Sequence, residues 1–281
     1  MLPGLVIREA RPADFQGLST LLETAAFIHR HLDWRPALDW LGRAPFTLIE
    51  QKGKILAALA CPTDPPGIAW IRLFANNSTF DIQSIWDTLF TKALSFFQDQ
   101  PGTSFAGIAL YPWFGDLLRS RGFQLHQEIV ILEWDNVLPQ PIRMPSSVTI
   151  QPMELYDVPD VTDVDNRAFA PLWQNSKESL RLAWKQAAYA TVAKMDGKIV
   201  GYQVSTISGY NAHLARLAVY PEQQKKSLGY LLVQDLLEHF SKQNIFRVTV
   251  NTQDNNRASL SLYEKLGFWP TGERFPVFIY P

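Results

Sequence analysis

Apolar and polar residues along this chain of 281 residues change their spacing several times. Short apolar runs such as Leu214–Tyr220 and Phe246–Asn251 are typical of buried strands, whereas the apolar spacing in Gly229–Lys242 predicts an amphipathic helix. A second helix is predicted over Ile82–Gln98, and Phe105–Leu110 has the pattern of another strand. Because these strands alternate with helices, the pattern predicts an α/β fold.

Glycine-containing turns indicate hairpins within this order of elements. The Asp196-Gly197 turn separates the apolar runs Thr191–Lys194 and Lys198–Ser205, and Lys52-Gly53 is placed similarly earlier in the chain. Hairpins pair their strands antiparallel, so each sheet is expected to be mixed rather than wholly parallel.

The two halves of the chain resemble each other. Gly53–Ala57 matches Gly197–Gly201 at an offset of 144, and Leu118–Phe123 matches Tyr263–Phe268 at an offset of 145. A third match links the opening strand around Val6 to the one around Thr149 at an offset of 143, so three separate matches have nearly the same offset. The repeat predicts two copies of one fold, although turns with Gly-Lys and helix ends with Gly-Phe also recur by chance.

A proline-rich stretch separates the two halves. Asn136–Ser147 contains Pro139, Pro141 and Pro145, a composition typical of a semi-rigid linker. The sequence therefore predicts a first domain over residues 1–135, a linker over 136–147 and a second domain over 148–281.

Composition excludes several classes of protein. The net charge of −1 gives no sign of nucleic-acid binding, and 47% apolar residues are typical of a soluble globular protein. No apolar run reaches the length of a membrane span and no signal peptide is recognised at the N-terminus, so a cytoplasmic location is expected. The single cysteine, Cys61, excludes an intramolecular disulfide framework and is expected to be buried.

A loop that opens into a helix carries the strongest chemical signal. Pro221–Gly229 contains small residues and two lysines immediately before the predicted helix. Free backbone N–H groups at a helix start, together with the helix dipole, form an anion site suited to a pyrophosphate. A nucleotide-hydrolase phosphate loop is excluded because Gly229 follows the lysines instead of preceding them.

Two motifs in the second half resemble those of the GNAT superfamily of N-acetyltransferases. Val219–Pro221 followed by Gln224–Gly229 is similar to the family's acetyl-CoA pyrophosphate loop, and Asn256–Tyr263 followed by Gly267-Phe268 is similar to its later motif. The resemblance implies two tandem acyl-CoA N-acyltransferase (GNAT) domains, each a mixed, mostly antiparallel sheet flanked by helices. The layout also resembles that of the mycothiol-synthase type.

The resemblance implies a set of residues that bind acetyl-CoA as a cosubstrate. The alternative interpretation of the loop is a solvated turn, and that of Asn256 is a helix N-cap. Ser259 could serve only as a small residue that lets the cofactor approach. The residues implied are Leu217, Ala218, Val219, Gln224, Lys225, Lys226, Ser227, Leu228, Gly229, Tyr230, Asn256, Ser259 and Tyr263.

Two residues are candidates for the chemistry. By the resemblance, the Tyr263 hydroxyl donates a proton or hydrogen bond to the departing CoA thiolate; the alternative is simple packing beside Leu262 and Leu266. His213 stands near the position where the family often has a glutamate, and a neutral imidazole accepts a proton from an incoming ammonium. A satisfied structural histidine is the alternative there.

The chain departs from the family pattern in both halves. Ser227 stands where the family usually has glycine, and serine lacks glycine's freedom at positive φ, so weaker phosphate binding is expected. The first half follows its strand Ile68–Phe74 with no glycine loop and has Leu118 in place of Tyr263. The first repeat is therefore expected to keep the fold without the cofactor chemistry.

Other candidate residues have weaker support. By the resemblance, Phe169, Trp173, Trp184 and Tyr189 lie in the segment that forms an acceptor-binding wall, although core packing is the favoured explanation for each. His29 and His31 lack cysteine or carboxylate partners at ligand spacing, so no metal site is expected.

The sequence thus predicts an N-acetyltransferase that moves an acetyl group from acetyl-CoA to a primary amine by direct attack in a ternary complex, with its active site in the second domain. The alternative functions are a catalytically silent acyl-CoA sensor and a protein-interaction scaffold. Whether the acceptor is a small molecule or a peptide, the length of the acyl group and the oligomeric state stay open.

Overall fold

The computed structural model describes residues 4–98 and 102–280. Its strands are β1 Val6–Glu9, β2 Phe27–Arg30, β3 Phe46–Gln51, β4 Lys54–Ala60, β5 Ile68–Trp70, β6 Leu73–Asn76, β7 Ser104–Ile108, β8 Gln124–Trp134, β9 Val148–Pro152, β10 Tyr189–Met195, β11 Lys198–Ser208, β12 Asn211–Val219, β13 Arg247–Gln253 and β14 Phe268–Tyr280. Its α-helices are α1 Phe15–Thr24, α2 Ile82–Phe96, α3 Pro112–Ser120, α4 Val158–Ala168, α5 Lys177–Gln186, α6 Leu228–Lys242 and α7 Arg257–Lys265.

The chain divides into two compact units whose limits differ from the predicted domain boundaries at residues 135 and 148. Unit 1 comprises Met1–His126 and Phe275–Pro281, and unit 2 comprises Gln127–Arg274. The reason is strand pairing. Residues 129–133 of β8 pair with β13 in unit 2, and residues 277–280 at the end of β14 pair with β7 in unit 1. Local sequence patterns contain no information on which distant strand a given strand will join.

Unit 1 contains a five-stranded sheet in the order β1-β3-β4-β6-β2. Beside it, β5 pairs parallel with β7, and β7 pairs antiparallel with the end of β14. The largest apolar cluster of the unit is rich in aromatic residues, including Phe74, Trp86, Phe90 and Phe114, all fully buried. The predicted strand Ile68–Phe74 is therefore two short strands, because β5 and β6 pair with different partners.

Unit 2 contains six strands in the order β8-β13-β12-β11-β10-β9, and the first part of β14 lies beside β8. Only the β12–β13 pair is parallel among the paired strands described from β8 to β9. Helix α6 packs on one face, where α7 contributes Tyr263 and Leu266 to the same apolar cluster. Helices α4 and α5 pack against β11. The predicted mixed sheet flanked by helices is confirmed.

The two predicted hairpins form with the predicted turns. Lys52 and Gly53 have φ values of 50° and 77°, and Asp196 and Gly197 have φ values of 49° and 79°. Two successive residues at positive φ match the twist of a two-residue antiparallel hairpin. These turns fix the registers of β3 with β4 and of β10 with β11.

The predicted linker 136–147 is part of unit 2. The Trp134 indole nitrogen donates to the Val137 carbonyl at 3.1 Å, and the Tyr230 hydroxyl donates to the Gln140 carbonyl at 2.9 Å. Ile142 packs against the apolar cluster that contains Leu228. These contacts hold the proline-rich segment against the unit. No helix among the described residues is long and apolar enough to cross a membrane.

Strand β2 contains a buried histidine that the sequence did not place in a strand. The His29 Nε2–H donates to the Ile71 carbonyl at 3.1 Å, and its ring stacks on Phe114 at 3.8 Å between centroids. Nδ1 is buried without a hydrogen-bond partner. Burial lowers the pKa of His29 to about 4, against the opposing effect of the Ile71 hydrogen bond.

We predict that the protein loses stability as the pH falls from 6.5 towards 4. In that window the unfolded His29 binds a proton that the folded side chain excludes, so the free energy of unfolding decreases by about 1.4 kcal/mol per pH unit for this one group. The contribution is fully present above pH 6.5. Urea unfolding of wild type and of His29→Gln, which keeps a donor, measures the slope.

The matched control is His126→Gln, which removes an exposed imidazole. It is expected to leave the wild-type slope unchanged, whereas His29→Gln flattens it. Equal slopes for wild type and His29→Gln would contradict the prediction.

Candidate functional site

The parallel pairing between β12 and β13 stops partway along both strands. The pairs run from Asn211–Arg247 to Leu214–Val250, and both strands continue beyond that point. Strand β12 stays paired with β11 as far as Val219. In the part of the chain that the structure describes, no strand covers the other edge of residues 215–219. This stretch therefore offers backbone N–H and C=O groups to a ligand lying between the strands.

A bulge at Ala215 lies at the point where the strands part. Val204 is opposite Arg216 and Ser205 is opposite Leu214, so Ala215 is the extra residue in β12. A bulge bends its strand and increases the local twist. The bend directs the following residues away from β13, and it also places His213 and Arg216 on the same face of β12.

The predicted anion loop follows directly after β12. A 3₁₀ turn at Pro221–Gln223 leads to Gln224, and α6 begins at Leu228. The Leu231 N–H donates to the Ser227 carbonyl at 3.0 Å, which is the first bond of the helix. The N–H groups of the three residues before Leu231 have no intrahelical acceptor and form a positive helix end that suits a pyrophosphate.

The backbone of this loop is strained at two residues. Lys225 has a φ of 60° and Ser227 has a φ of 64°, both in the left-handed region that favours glycine. The Gln224 side chain donates to the Val219 carbonyl at 3.1 Å and so fixes the loop to the end of β12. Lys226 donates to the Gln223 side chain at 2.8 Å. Ser227 therefore adopts a conformation that glycine would adopt without strain.

Glycine at position 229 allows the start of α6 to approach α7. A Cβ built at Gly229 would lie 3.1 Å from the Leu262 side chain, closer than side chains normally pack. Leu228 is buried in the same apolar cluster as Val219, and Leu217 packs against it. Nine of the predicted cofactor residues, from Leu217 to Gly229, thus lie along one continuous stretch of strand end, loop and helix start.

Tyr263 lies beside the point where the strands separate. It belongs to the apolar cluster that contains Leu214 and Val250, the last residues paired between β12 and β13. Its ring meets Phe268 at 5.6 Å, and its side chain is only 4% exposed. The hydroxyl has no hydrogen-bond partner among the described residues. Burial raises the pKa of Tyr263, which keeps its proton in place at neutral pH.

His213 lies on the face of β12 opposite to Ala212 and Leu214, which join the cluster beneath α6. Its Nδ1 is 2.9 Å from the Thr249 hydroxyl oxygen, and its Nε2 is 2.9 Å from the Asn251 side-chain oxygen. Burial lowers the pKa of His213 below 6.5, against the opposing effect of the Asn251 bond. The ring is therefore neutral at pH 7 and held between two polar neighbours on β13.

Asn256 caps helix α7, as the structural alternative predicted. Its side-chain oxygen accepts from the Ser259 N–H at 3.2 Å, and its amide nitrogen donates to Gln253 at 3.3 Å. Both residues are thereby fixed at the start of the helix that carries Tyr263.

A buried charged cluster beside β12 escaped the sequence analysis. Asp165 on α4 is fully buried, accepts from the Tyr202 hydroxyl at 2.5 Å and accepts from the Arg216 Nε at 2.7 Å. Although burial opposes its charge, Asp165 raises the pKa of Arg216. The Asn175 N–H also donates to Asp165 at 2.8 Å. Tyr202 and Arg216 lie 37 and 51 residues from Asp165 in the sequence, so no local spacing indicates their contact with it.

The cluster organises only part of the predicted aromatic wall. The Arg216 guanidinium stacks on Phe169 at 3.6 Å and donates to the Trp173 carbonyl at 2.6 Å. Tyr189 instead donates to Asp235 at 2.8 Å and stacks on His239 at 3.6 Å, which places it against α6. Tyr189 thus follows the core-packing interpretation, because strand β10 directs this side chain towards the apolar cluster beneath α6.

Among residues 4–98 and 102–280, no group of three or more His, Cys, Asp or Glu is placed to hold a metal ion. In the aromatic core of unit 1, Leu118 is fully buried at the position that matches Tyr263. The predicted site residues that the structure brings together lie on β12, on the loop before α6 and on α7.

Comparison with known proteins identifies a family match within unit 2. The family model "Acetyltransferase (GNAT) family" matches residues 158–268. The [ribosomal protein bS18]-alanine N-acetyltransferase of Escherichia coli K12 is 25% identical over 120 residues, which are 43% of this chain and 80% of that protein. The mycothiol acetyltransferase of Acidimicrobium ferrooxidans is 28% identical over 143 residues, which are 46% of this chain and 45% of that protein.

A solved structure resembles the whole chain. A tandem GNAT protein from the clavulanic acid biosynthesis pathway superposes with a TM-score of 0.63, covering 98% of this chain and 97% of that one at 16% identity. At that identity the likeness establishes the fold alone, and the fold is the tandem one that the internal repeat predicted.

We predict that Ser227→Gly stabilises the protein. A left-handed conformation costs a non-glycine residue about 1–2 kcal/mol, whereas added glycine flexibility in the unfolded chain costs about 0.5–1 kcal/mol. The net gain should be about 0.5–1 kcal/mol, measured as a higher urea midpoint. Ser241→Gly, in the last turn of α6, is the matched control and should lose about 0.5 kcal/mol. A lower midpoint for Ser227→Gly would contradict the prediction.

Proposed function

We propose that the chain is an acetyl-CoA-dependent N-acetyltransferase of the acetyltransferase (GNAT) family, whose model matches residues 158–268, and that unit 2 alone carries the reaction. In this proposal the pyrophosphate of acetyl-CoA lies on the loop before α6, and the pantetheine arm lies along residues 215–219 of β12. A primary amine attacks the thioester directly, without a covalent intermediate on the protein.

One observation carries the proposal: the open edge of β12 ends at Val219, and the loop that follows leads to the N–H groups at the start of α6 that have no acceptor within the helix. The pairing of β12 with β13 ends at Leu214, and the first bond of α6 is donated by Leu231. An extended polar arm that ends in a doubly negative group matches both features in this order. Gly229 leaves room beside Leu262 that any Cβ would restrict.

His213 serves as the general base in this mechanism. The incoming ammonium must lose a proton before its nitrogen attacks, and the lowered pKa of His213 keeps an imidazole lone pair available at neutral pH. Thr249 and Asn251 hold the ring in place, and one of these two contacts must loosen when the ring takes the proton. That proton then passes to solvent, and the second proton that the nitrogen loses as the amide forms is taken up by the released thiolate.

Tyr263 acts on the departing sulfur. As the new C–N bond forms and the C–S bond breaks, negative charge develops on the sulfur, and the phenol donates a hydrogen bond to it. A thiol ordinarily has a pKa near 8.5 and the pKa of Tyr263 is raised above 10, so the phenol shares its proton rather than losing it outright. The absence of a partner for its hydroxyl among the described residues leaves that proton available to a ligand.

The acceptor is a primary amine in this proposal. The bS18-alanine N-acetyltransferase of E. coli, by its name, acetylates a protein alanine, and the second relative is named a mycothiol acetyltransferase. Phe169 and the Asp165–Arg216 pair lie on the α4 side of β12 and would form the wall next to the amine.

The second candidate is an acyl-CoA-binding sensor that lacks turnover. The observation that favours it is the packing of Tyr263, which is 4% exposed within an apolar cluster. A sensor and an enzyme share the cofactor site and differ only in thiol release.

Acetyl-CoA binding tests the shared site first. A ligand at a hundredfold excess over its Kd stabilises a protein by about 2.7 kcal/mol, so acetyl-CoA is expected to raise Tm by several degrees. Release of free thiol with a panel of primary amines, including an N-terminal alanine peptide, then separates the enzyme from the sensor. No shift of Tm at millimolar acetyl-CoA would overturn both candidates.

We predict that Tyr263→Phe lowers kcat about a hundredfold and leaves the Kd of acetyl-CoA nearly unchanged, since the lost proton donor acts only on the leaving sulfur. Steady-state thiol release and calorimetric titration measure the two quantities. Tyr210→Phe removes a hydroxyl from a residue that is 86% exposed and should behave as wild type. An unchanged kcat in Tyr263→Phe would remove this residue from the mechanism.

We predict that kcat/KM of the wild type falls below pH 6.5, where His213 takes up a proton and can no longer act as the base. This acid limb of the pH–rate profile lies below pH 6.5 because burial lowers the pKa of His213. His213→Gln should lower kcat/KM and abolish this limb, whereas His126→Gln should retain it. A pH–rate profile with the same acid limb in His213→Gln would exclude the histidine as the base.

A further inference from the structure

Both units contain the same interruption in their sheets. In unit 1 the parallel pairing of β5 with β7 ends at Trp70–Ala106, and in unit 2 the pairing of β12 with β13 ends at Leu214–Val250. Each of these residues is separated from its counterpart by 144 positions, the same offset as between Gly53 and Gly197. The two interruptions are therefore equivalent positions in the repeat.

The edges beyond the interruption differ between the units. In unit 2, residues 215–219 of β12 have β11 on one side and no strand on the other, among the residues that the structure describes. In unit 1, β6 has β4 on one side and β2 on the other, with the pairs running from Phe27–Asn76 to Arg30–Leu73. Strand β2 thus covers the edge that is open in unit 2.

Side chains of β2 also fill the space in front of α3. Phe27 meets Trp113 edge to face at 5.3 Å, and His29 stacks on Phe114 at 3.8 Å. Both aromatic partners belong to α3, which ends before Gly122-Phe123 as α7 ends before Gly267-Phe268. Helix α3 is therefore the counterpart of the helix that carries Tyr263.

Hydrogen bonds from β2 and the residue after it also close the point in unit 1 where β5 ends and β6 begins. Ile71 and Arg72 lie between β5 and β6 in unit 1, where unit 2 has only Ala215. The Ile71 carbonyl accepts from His29, and the Arg72 carbonyl accepts from the His31 N–H at 3.0 Å. His29 is fully buried by these contacts. The His29 side chain and the His31 backbone N–H together close this gap.

The edge of β6 and the space in front of α3 together form what we call the unit 1 groove. We infer that β2 permanently occupies this groove, which corresponds to the place where unit 2 would bind the pantetheine arm. The strand satisfies the edge of β6 that would otherwise pair with an extended ligand, and its aromatic contacts occupy the volume beside α3. Unit 1 consequently binds no acyl carrier, and the chain binds one molecule of CoA. The comparison with pantetheine rests on the function proposed for unit 2.

The first test is the stoichiometry of CoA on the full chain by calorimetry, together with hydrogen exchange of the β6 amides. We expect one CoA per chain and slow exchange at residues 73–76, with or without CoA. Two CoA per chain, or fast exchange at these amides, would overturn the inference. Zero CoA would overturn the function proposed for unit 2, and the exchange of the β6 amides would then decide the present inference independently.

A cross-strand disulfide provides the second test. Ile28 and Ala75 are directly opposite in the antiparallel pair, where Cα atoms lie about 4.5–5.5 Å apart, a distance that a disulfide spans. In Ile28→Cys/Ala75→Cys, oxidation pins β2 in the groove. We expect the same CoA stoichiometry in the oxidised and reduced forms. A lower stoichiometry after oxidation would show that β2 must leave for CoA to bind, and would overturn the inference.

A proline substitution tests the pairing from the opposite direction. Ile28→Pro should raise the exchange rate of the β6 amides at least tenfold, and a synthetic peptide of residues 24–33 added in trans should restore protection. Leu32→Pro, at a residue 68% exposed and outside β2, is the matched control and should leave protection unchanged. Unchanged protection in Ile28→Pro would overturn the inference, and the disulfide variant decides the matter if the proline variant does not fold.

Discussion

The ending of the β12–β13 ladder at Leu214 is the constraint on which the rest of unit 2 depends. Ala215 adds one residue to β12 opposite β11, and the resulting bend prevents β12 from following both neighbours at once. Pairing with β11 continues to Val219, so the hydrogen bonds that are lost are those to β13. The unpaired backbone there must be satisfied by water or by a ligand, because buried amide groups without partners are unfavourable.

The same bulge also arranges the two faces of β12. Leu214 and Leu217 pack beneath α6, in the cluster with Tyr263, while His213 and Arg216 lie on the other face. An acyl group held at the separation point would therefore have the phenol on one side and the imidazole on the other. Asp165 fixes the Arg216 side chain and, through the Asn175 N–H, the segment after α4. A buried charge of this kind is tolerated because each charged group has its partner.

The loop after β12 combines strain with firm attachment. Lys225 and Ser227 both adopt left-handed conformations that cost a non-glycine residue energy. The Gln224 bond to the Val219 carbonyl and the burial of Leu228 beside Val219 hold the loop against that strain. Unit 1 has the same interruption in its sheet without this loop, and there β2 covers the edge.

Much of the architecture follows from local patterns. The helix Leu228–Lys242 begins one residue before the predicted start and ends at the predicted residue, and both hairpin turns form at the predicted glycines. These features depend on apolar spacing and on the φ preference of single residues, which neighbouring sequence contains. The internal repeat similarly predicts two copies of one fold, and the motif after Val219 predicts the position of the loop before α6.

The sequence by itself therefore determined the elements, the repeat and the residues of the loop and α7. Only the tertiary structure decided that β8 joins β13, that the end of β14 joins β7, and that β2 fills the edge of β6. It also decided the Asp165–Arg216 cluster and the placement of Tyr189 against α6. These outcomes depend on hydrogen bonds and burial between residues far apart in the chain, and short-range spacing contains no information about such pairings.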